Sequence, residues 1–180
     1  YIADPVVVDE FDRRARISGF PGIQRESIFH ALNQKAVARQ YAASVGKKYE
    51  DLNLIVAHLG GGISVGAHRK GNVIDVNNAL NGEGPISPER AGTIPAEALV
   101  NLCFSGKYDK KQICKMIHGR GGLVAFLKTN DMIDIEAKAV KGEEPYYSMV
   151  EAMNYTISKQ IGAMYVALMG QVDSIILTGG

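Results

Sequence analysis

Asn53-Leu54-Ile55-Val56-Ala57, His58-Leu59-Gly60-Gly61-Gly62 and Ile63-Ser64-Val65-Gly66-Ala67 follow one another without a break, and the way they are read decides the fold. The first and third are short apolar runs suited to buried strands, so the three glycines between them mark a tight turn in a hairpin. Arg69-Lys70-Gly71-Asn72 then supplies turn chemistry before another apolar run, Val73-Ile74-Asp75-Val76. Glycines at such a turn can take positive φ and let a ligand approach the main chain, so that successive N–H groups converge on an anion such as a phosphate. An ordinary hairpin turn fits the same residues. The stretch is not the G-x-G-x-x-G fingerprint, and it lacks the Lys-Ser/Thr of the P-loop, so neither of those folds is supported.

Upstream, Pro5-Val6-Val7-Val8 is suited to a strand, with Asp9 and Glu10 at its carboxyl end, where acidic residues often line the cleft of an open sheet. Residues 25–43 read as an amphipathic helix ended by Gly46. Its apolar stripe is Ile28, Phe29, Leu32 and Ala36, while His30 and Gln34 project together from roughly the opposite side. Downstream, residues 77–93 form a long loop rich in Asn, Gly and Pro, and loops of that length in compact domains tend to be either functional or disordered. Arg90 in this loop can clamp a phosphate or carboxylate with its planar fork, or pair with a neighbouring acid. Helices are predicted over 95–104, 109–117, 131–141 and 145–169, with Gly106, Gly119, Gly142 and Gly170 as stops. The Met and Tyr residues of the last helix read as core filler. A final strand, Ser174-Ile175-Ile176-Leu177, runs into Thr178-Gly179-Gly180. Strands, a hairpin and then helices returning to a strand imply an α/β sheet with helices packed on it.

Composition limits the ligand. The chain has 180 residues, 46% hydrophobic and 22% charged, enough for one sizeable core or two small ones. A formal charge of +1 gives no electrostatic footprint for nucleic acid or an anionic membrane, so neither is expected as a partner. The two cysteines, Cys103 and Cys114, both fall in apolar helical patterns, which suits buried free thiols in a reducing, cytoplasmic setting. No CxxC pair suggests zinc, no apolar run is long enough to span a membrane, and no signal-peptide pattern follows Tyr1. The absence of an initial Met and the stop at Thr178-Gly179-Gly180, where a turn ought to lead onward, read as a piece of a longer protein.

Three motifs in order resemble the acetate kinase family of short-chain carboxylate kinases. They are Ser27-Ile28-Phe29-His30-Ala31-Leu32-Asn33-Gln34-Lys35, His58-Leu59-Gly60-Gly61-Gly62-Ile63-Ser64-Val65-Gly66-Ala67-His68, and Asn77-Asn78-Ala79-Leu80-Asn81-Gly82-Glu83-Gly84-Pro85. The resemblance extends over essentially the whole chain. It implies a ribonuclease H-like fold of the actin, hexokinase and Hsp70 superfamily, in which two similar α/β domains enclose a nucleotide cleft. Residues 1–20 would be the tail end of the first domain and 21–180 the second ATPase-like domain, incomplete at its C-terminus. His58, Leu59, Gly60, Gly61 and Gly62 match the family's phosphate-binding loop. Asp131-Met132-Ile133 matches an adenosine-side segment in which Ile133 replaces the family arginine, and Gly179-Gly180 the start of the adenosine glycine loop. His30 matches a histidine near the transferring phosphoryl group, Asp9 an acidic position near the acyl phosphate, and Arg90 an arginine that stabilises the transferred group. Gln34 stands where the acetate kinases have a second histidine.

The activity implied is reversible transfer of the γ-phosphoryl of ATP, with Mg2+, to butyrate or a similar short-chain carboxylate. Acetate, propionate or a branched acid is an alternative substrate, because one methylene in an apolar pocket discriminates only about 10–200-fold. A non-catalytic nucleotide-binding or assembly module of the same superfamily is the alternative of a different class. The 180 residues by themselves are expected to fold, to bind nucleotide weakly at most and to turn over no substrate. A homo-oligomer, at least a dimer, is expected.

Overall fold

The computed structural model describes residues 10–180; the strand expected at Pro5-Val6-Val7-Val8 and the carboxylate of Asp9 lie outside them. The described chain divides into two compact units. One comprises the residues up to Leu59, Ile63–Asn78 and Lys159–Gly180, the other Gly60–Gly62 and Ala79–Ser158.

The first unit is built on a mixed four-stranded sheet in the order β3-β2-β1-β4. β1 (Asn53–Leu59) and β2 (Ile63–Arg69) form the antiparallel hairpin read from the glycine turn, with Leu59 opposite Ile63. β3 (Asn72–Val76) continues the meander on β2, and β4 (Ser174–Thr178) returns parallel to β1. β1 is central and buried on both faces, which is why its sequence is apolar almost throughout. Asp173 fixes the start of the parallel pair: its N–H donates to the Asn53 carbonyl, and its carboxylate accepts from the Asn53 N–H at 2.7 Å. Asn77 acts as a spacer at the end of β3, accepting from Val65 N–H and donating to the Ile63 carbonyl.

Helix α1 (Ala31–Ser44) packs on β1 and β4. Its Ala38 and Ala42 join Leu54, Val56, Tyr49 and Leu52 in one core cluster, and Phe29 joins Val73 and Val76 in another. Two expectations are corrected here. The helix begins at Ala31 rather than at residue 25, and the face turned inward is not the apolar stripe. Leu32 is 77% exposed, whereas Gln34 is wholly buried in line with Ala38 and Ala42. Ser64, Gly66 and His68, alternate residues of β2, supply hydrogen-bonding partners and space for a polar side chain, and these outweigh the hydropathy pattern.

The second unit is helical among its described residues, with α2 (Ala96–Cys103), α3 (Lys110–Ile117), α4 (Leu123–Leu127), α5 (Met132–Val140) and most of α6 (Tyr146–Ala167), whose last turns belong to the first unit. Asp109 and Gln112 form a reciprocal capping box at the start of α3, and Asp131 caps α5 by accepting from the N–H groups of Ile133 and Asp134. α4 is too short for periodicity to reveal. On α6 Met153 and Met164 are buried as core filler, along with Ile157, but Tyr147, Tyr155 and Tyr165 are exposed and do not fill the core. Both cysteines are free, yet Cys103 is exposed and Cys114 only half-buried, so neither is the buried thiol expected. Their places on the helices fit an apolar pattern without facing a core.

Candidate active site

In the first unit the carboxyl end of β1 and the start of β2 carry a cluster of polar side chains. His58 and Ser64 are directly opposite in the ladder, and His30, at the N-cap of α1, stacks on His58 with ring centroids 3.7 Å apart and planes 11° from parallel. His30 Nδ1 lies 2.9 Å from Ser64 Oγ, and His58 Nδ1 lies 2.8 Å from Asn33 Oδ1. Gln34 Nε2 donates to both the Ser64 hydroxyl (2.9 Å) and the Ser64 carbonyl (3.1 Å). Its Oε1 meets His68 Nε2 at 2.9 Å, and His68 Nδ1 meets the Tyr49 hydroxyl at 2.6 Å. The approach of Gln34 requires a glycine opposite it, because a Cβ on Gly66 would come within 2.4 Å of Gln34 Oε1. Burial pushes the pKa of His58 down. It also pushes His68 down to about 3, with help from the Lys35 charge, so the His68 ring is neutral.

Thr178 pairs with His58, so Gly179 follows at the same end of the sheet as Leu59. Its φ is +99°, and a Cβ there would come within 2.3 Å of the Leu59 carbonyl oxygen, so only glycine fits. Glycines at this point let the main chain turn off the sheet at the carboxyl ends of parallel strands, where open α/β sheets bind ligands.

In the second unit Gly60, Gly61 and Gly62 lie against Ser87-Pro88-Glu89-Arg90. The Gly61 carbonyl accepts from Ser87 Oγ at 2.8 Å and from Glu89 N–H at 3.1 Å. No hydrogen bond among the described residues uses the N–H of Gly60, Gly61 or Gly62 as donor. The expectation of positive φ in this turn is not met, for none of the three lies in the left-handed region. Space bears on Gly62 alone: a Cβ there would sit a tight 3.3 Å from the Ala79 carbonyl oxygen and 3.7 Å from Arg90 Nε, whereas one on Gly61 would meet the Glu89 carboxylate at an ordinary 3.5 Å.

Arg90 is held from several sides. Its backbone bridges His118, and its carbonyl accepts from Ser87 N–H. Gly122 presses so close that a Cβ would overlap the carbonyl oxygens of Ser87 and Arg90. One guanidinium nitrogen faces Glu89 at 3.5 Å, while Nε is buried without an acceptor among the described residues. Glu89 is in turn anchored by Asn130 Nδ2 at 2.8 Å. Beside the glycine turn there is thus a rigid cation with one oriented, unpartnered donor, an arrangement that suits an anionic ligand.

Asp131, Met132 and Ile133 open α5 in this unit. Asp131 uses Oδ1 for the helix cap, and Ile133 is 85% exposed. Sequence reasoning did not single out Asn33, Ser64, Ser87, Gly122 or Asn130. The signal for Ser64 was present: Ser64, Gly66 and His68 alternate small and polar along a strand otherwise apolar.

The fold and these two sets of residues define a class. The Acetokinase family model matches residues 21–180, and the chain belongs to that family. It is 70% identical over all 180 residues to a probable butyrate kinase of Phocaeicola vulgatus, of which it spans about half the length (51%). Porphyromonas gingivalis acetate kinase superposes with a TM-score of 0.85 at 25% identity, over 94% of this chain and 44% of that one. A propionate kinase from Francisella tularensis superposes with a TM-score of 0.83 at 24% identity, over 94% and 45% respectively, which bears on the fold alone. The architecture is therefore the acetate kinase-like α/β fold of the ribonuclease H-like superfamily.

Proposed function

We propose that the full-length protein transfers the γ-phosphoryl group of ATP reversibly to butyrate or a similar short-chain carboxylate, giving an acyl phosphate and ADP. Family membership and the relative named as a probable butyrate kinase support the reaction class. The observation that carries it is Arg90, fixed beside the glycine turn with its Nε buried and unpartnered.

A carboxylate with a pKa near 4 is already ionised at neutral pH, so the acceptor needs no general base. Catalysis then rests on positioning and on charge stabilisation at the phosphoryl oxygens. Arg90 meets that charge with its guanidinium, the N–H groups of Gly60, Gly61 and Gly62 cradle phosphate oxygens, and His30 donates to the group in transfer. The resemblance assigns Asp9, which lies outside the described residues, to the acyl-phosphate side. Asp131, with Oδ2 outside its cap, Met132 and Ile133 serve the adenosine side, and the resemblance gives Gly179 and Gly180 an adenosine role of their own. Among the described residues no group of three or more His, Cys, Asp or Glu side chains gathers to hold a metal. Magnesium, which often binds through substrate phosphates, would enter with the nucleotide and neutralise phosphate charge. A second copy of the protein is the expected partner, and exposed apolar side chains such as Phe104 and Val140 are the kind of surface it would cover, which sedimentation would read.

The test is Arg90→Ala in the full-length protein, assayed as acyl hydroxamate formation. The kcat should fall roughly 10³-fold or more with a much smaller change in KM for ATP, and Arg90→Lys should rescue poorly for want of a planar fork. A kcat within about threefold of wild type removes Arg90 from the reaction. Comparing kcat/KM for acetate, propionate, butyrate and branched acids identifies the acceptor.

A further inference from the structure

We propose that Ser64 and Gln34, backed by His68 and Tyr49, form a hydrogen-bond relay with a fixed direction that holds His30 as its Nε2–H tautomer, which makes Gln34 and Ser64 positioning residues. The functional half of this proposal rests on the reading of His30 given above; the placement of the proton does not.

The direction follows from one atom that has no choice. The Ser64 carbonyl oxygen can only accept, so the Gln34 amide atom 3.1 Å from it is the nitrogen and not the oxygen. Gln34 Oε1 must then face His68, and an oxygen there requires a proton on His68 Nε2. His68 is wholly buried and neutral, so its Nδ1 is the acceptor and the Tyr49 hydroxyl donates to it. This arm leaves every polar atom of the Gln34 amide engaged, and burial keeps Tyr49 protonated by pushing its pKa up.

The other arm runs toward the site. The second Gln34 Nε2 proton goes to Ser64 Oγ at 2.9 Å, and the His30 main-chain N–H also points to this oxygen at 3.5 Å. With its acceptor capacity taken, the Ser64 hydroxyl has its own proton to place, and His30 Nδ1 lies 2.9 Å away. His30 Nδ1 therefore accepts and Nε2 carries the hydrogen. Any acceptor that faces Nε2, a phosphoryl oxygen included, meets an N–H rather than a lone pair. The stacked partner is set the other way, since His58 Nδ1 donates to Asn33 Oδ1. The relay thus sets the two stacked rings to opposite tautomers.

Long-range proton–nitrogen correlation spectra of 15N-histidine-labelled chain test this directly, with only four histidines to assign. In the wild type at neutral pH, His30 should show one fully pyrrole-like nitrogen, Nε2, and one fully pyridine-like nitrogen, Nδ1. Ser64→Ala removes the donor and should let the two His30 shifts move toward each other by tautomer exchange, while Ser64→Thr, which keeps the hydroxyl, should restore the wild-type pattern. Gln34→Met should act like Ser64→Ala and is a second route if one variant does not fold; retained amide-shift dispersion of β1 and β2 reports the fold of this unit. An Nδ1–H or averaged His30 in the wild type, or the wild-type pattern retained in both Ser64→Ala and Gln34→Met, overturns the relay. In the full-length protein, Ser64→Ala should lower kcat at least about tenfold with KM for ATP little changed. Tautomer exchange with kcat within about threefold of wild type would overturn the positioning role and leave phosphoryl transfer itself to be judged on Arg90.

Discussion

Adding one methyl group at Gly66 would set a carbon 2.4 Å from Gln34 Oε1 and 3.2 Å from His68 Nε2. Neither neighbour can swing away without losing a buried hydrogen bond, so Gly66→Ala should destabilise the fold by about 1–3 kcal/mol, read as a lower urea midpoint. The same change should disturb the His30 tautomer, because it strikes the amide that sets it. Gly61 differs. A side chain there meets the Glu89 carboxylate at ordinary contact distance and no left-handed backbone, so Gly61→Ala should leave stability within about 0.5 kcal/mol. Any loss of nucleotide affinity in that variant would report on the turn as a ligand site, by calorimetric titration with ATP.

At the scale of elements, α5 separates two duties of one residue. Asp131 caps the helix through Oδ1, so Asp131→Ala should cost about 1 kcal/mol of stability while Asp131→Asn, which can still cap, should cost only a few tenths. If Asp131 also serves the nucleotide through its charge, Asp131→Asn should raise KM for ATP without moving the urea midpoint. The starts of α3 and α5 near Asp109 and Asp131, the hairpin and the helix stops were legible because each is a local signal, a side chain or glycine acting within a few positions. The orientation of α1 was not. Hydropathy alone turns Leu32 inward, but the inner face is decided by Gly66, Ser64 and His68, which lie about 30 residues further along the chain and were not paired with Gln34 in the linear pattern. For the same reason His30 was read as a site residue from the motif it belongs to, while Ser64 and Asn33, which hold His30 and His58, were not read at all. Arg90 was identified, but its clamp was hidden, since Gly122 and His118 reach it only through tertiary folding.

For the whole molecule, buried His68 ties stability to pH. Its folded pKa, about 3, lies below the ordinary value of 6.5, so the unfolded chain binds a proton that the folded chain refuses. The stability is fully present above about pH 6.5 and is lost as pH falls toward the folded value, by up to about 1.4 kcal/mol per pH unit for this histidine. The depressed pKa of His58 acts with the same sign. Urea midpoints measured between about pH 7 and pH 4.5 should therefore fall more steeply for wild type than for His68→Gln, which carries no titrating ring. The sheet order β3-β2-β1-β4 bears on something else, the sequence of events as the protein forms. The meander of β1, β2 and β3 closes over short turns, whereas β4 must return across on the order of 100 residues, a slower and entropically costlier closure. Until it arrives, the central strand has a bare apolar edge, the kind of template on which nascent chains pair wrongly with one another. In pulse-labelled exchange during refolding, the β1 amides that point toward β4 should gain protection together with β4 and after those shared by β2 and β3, and chaperones that shield strand edges should raise the yield most in that interval.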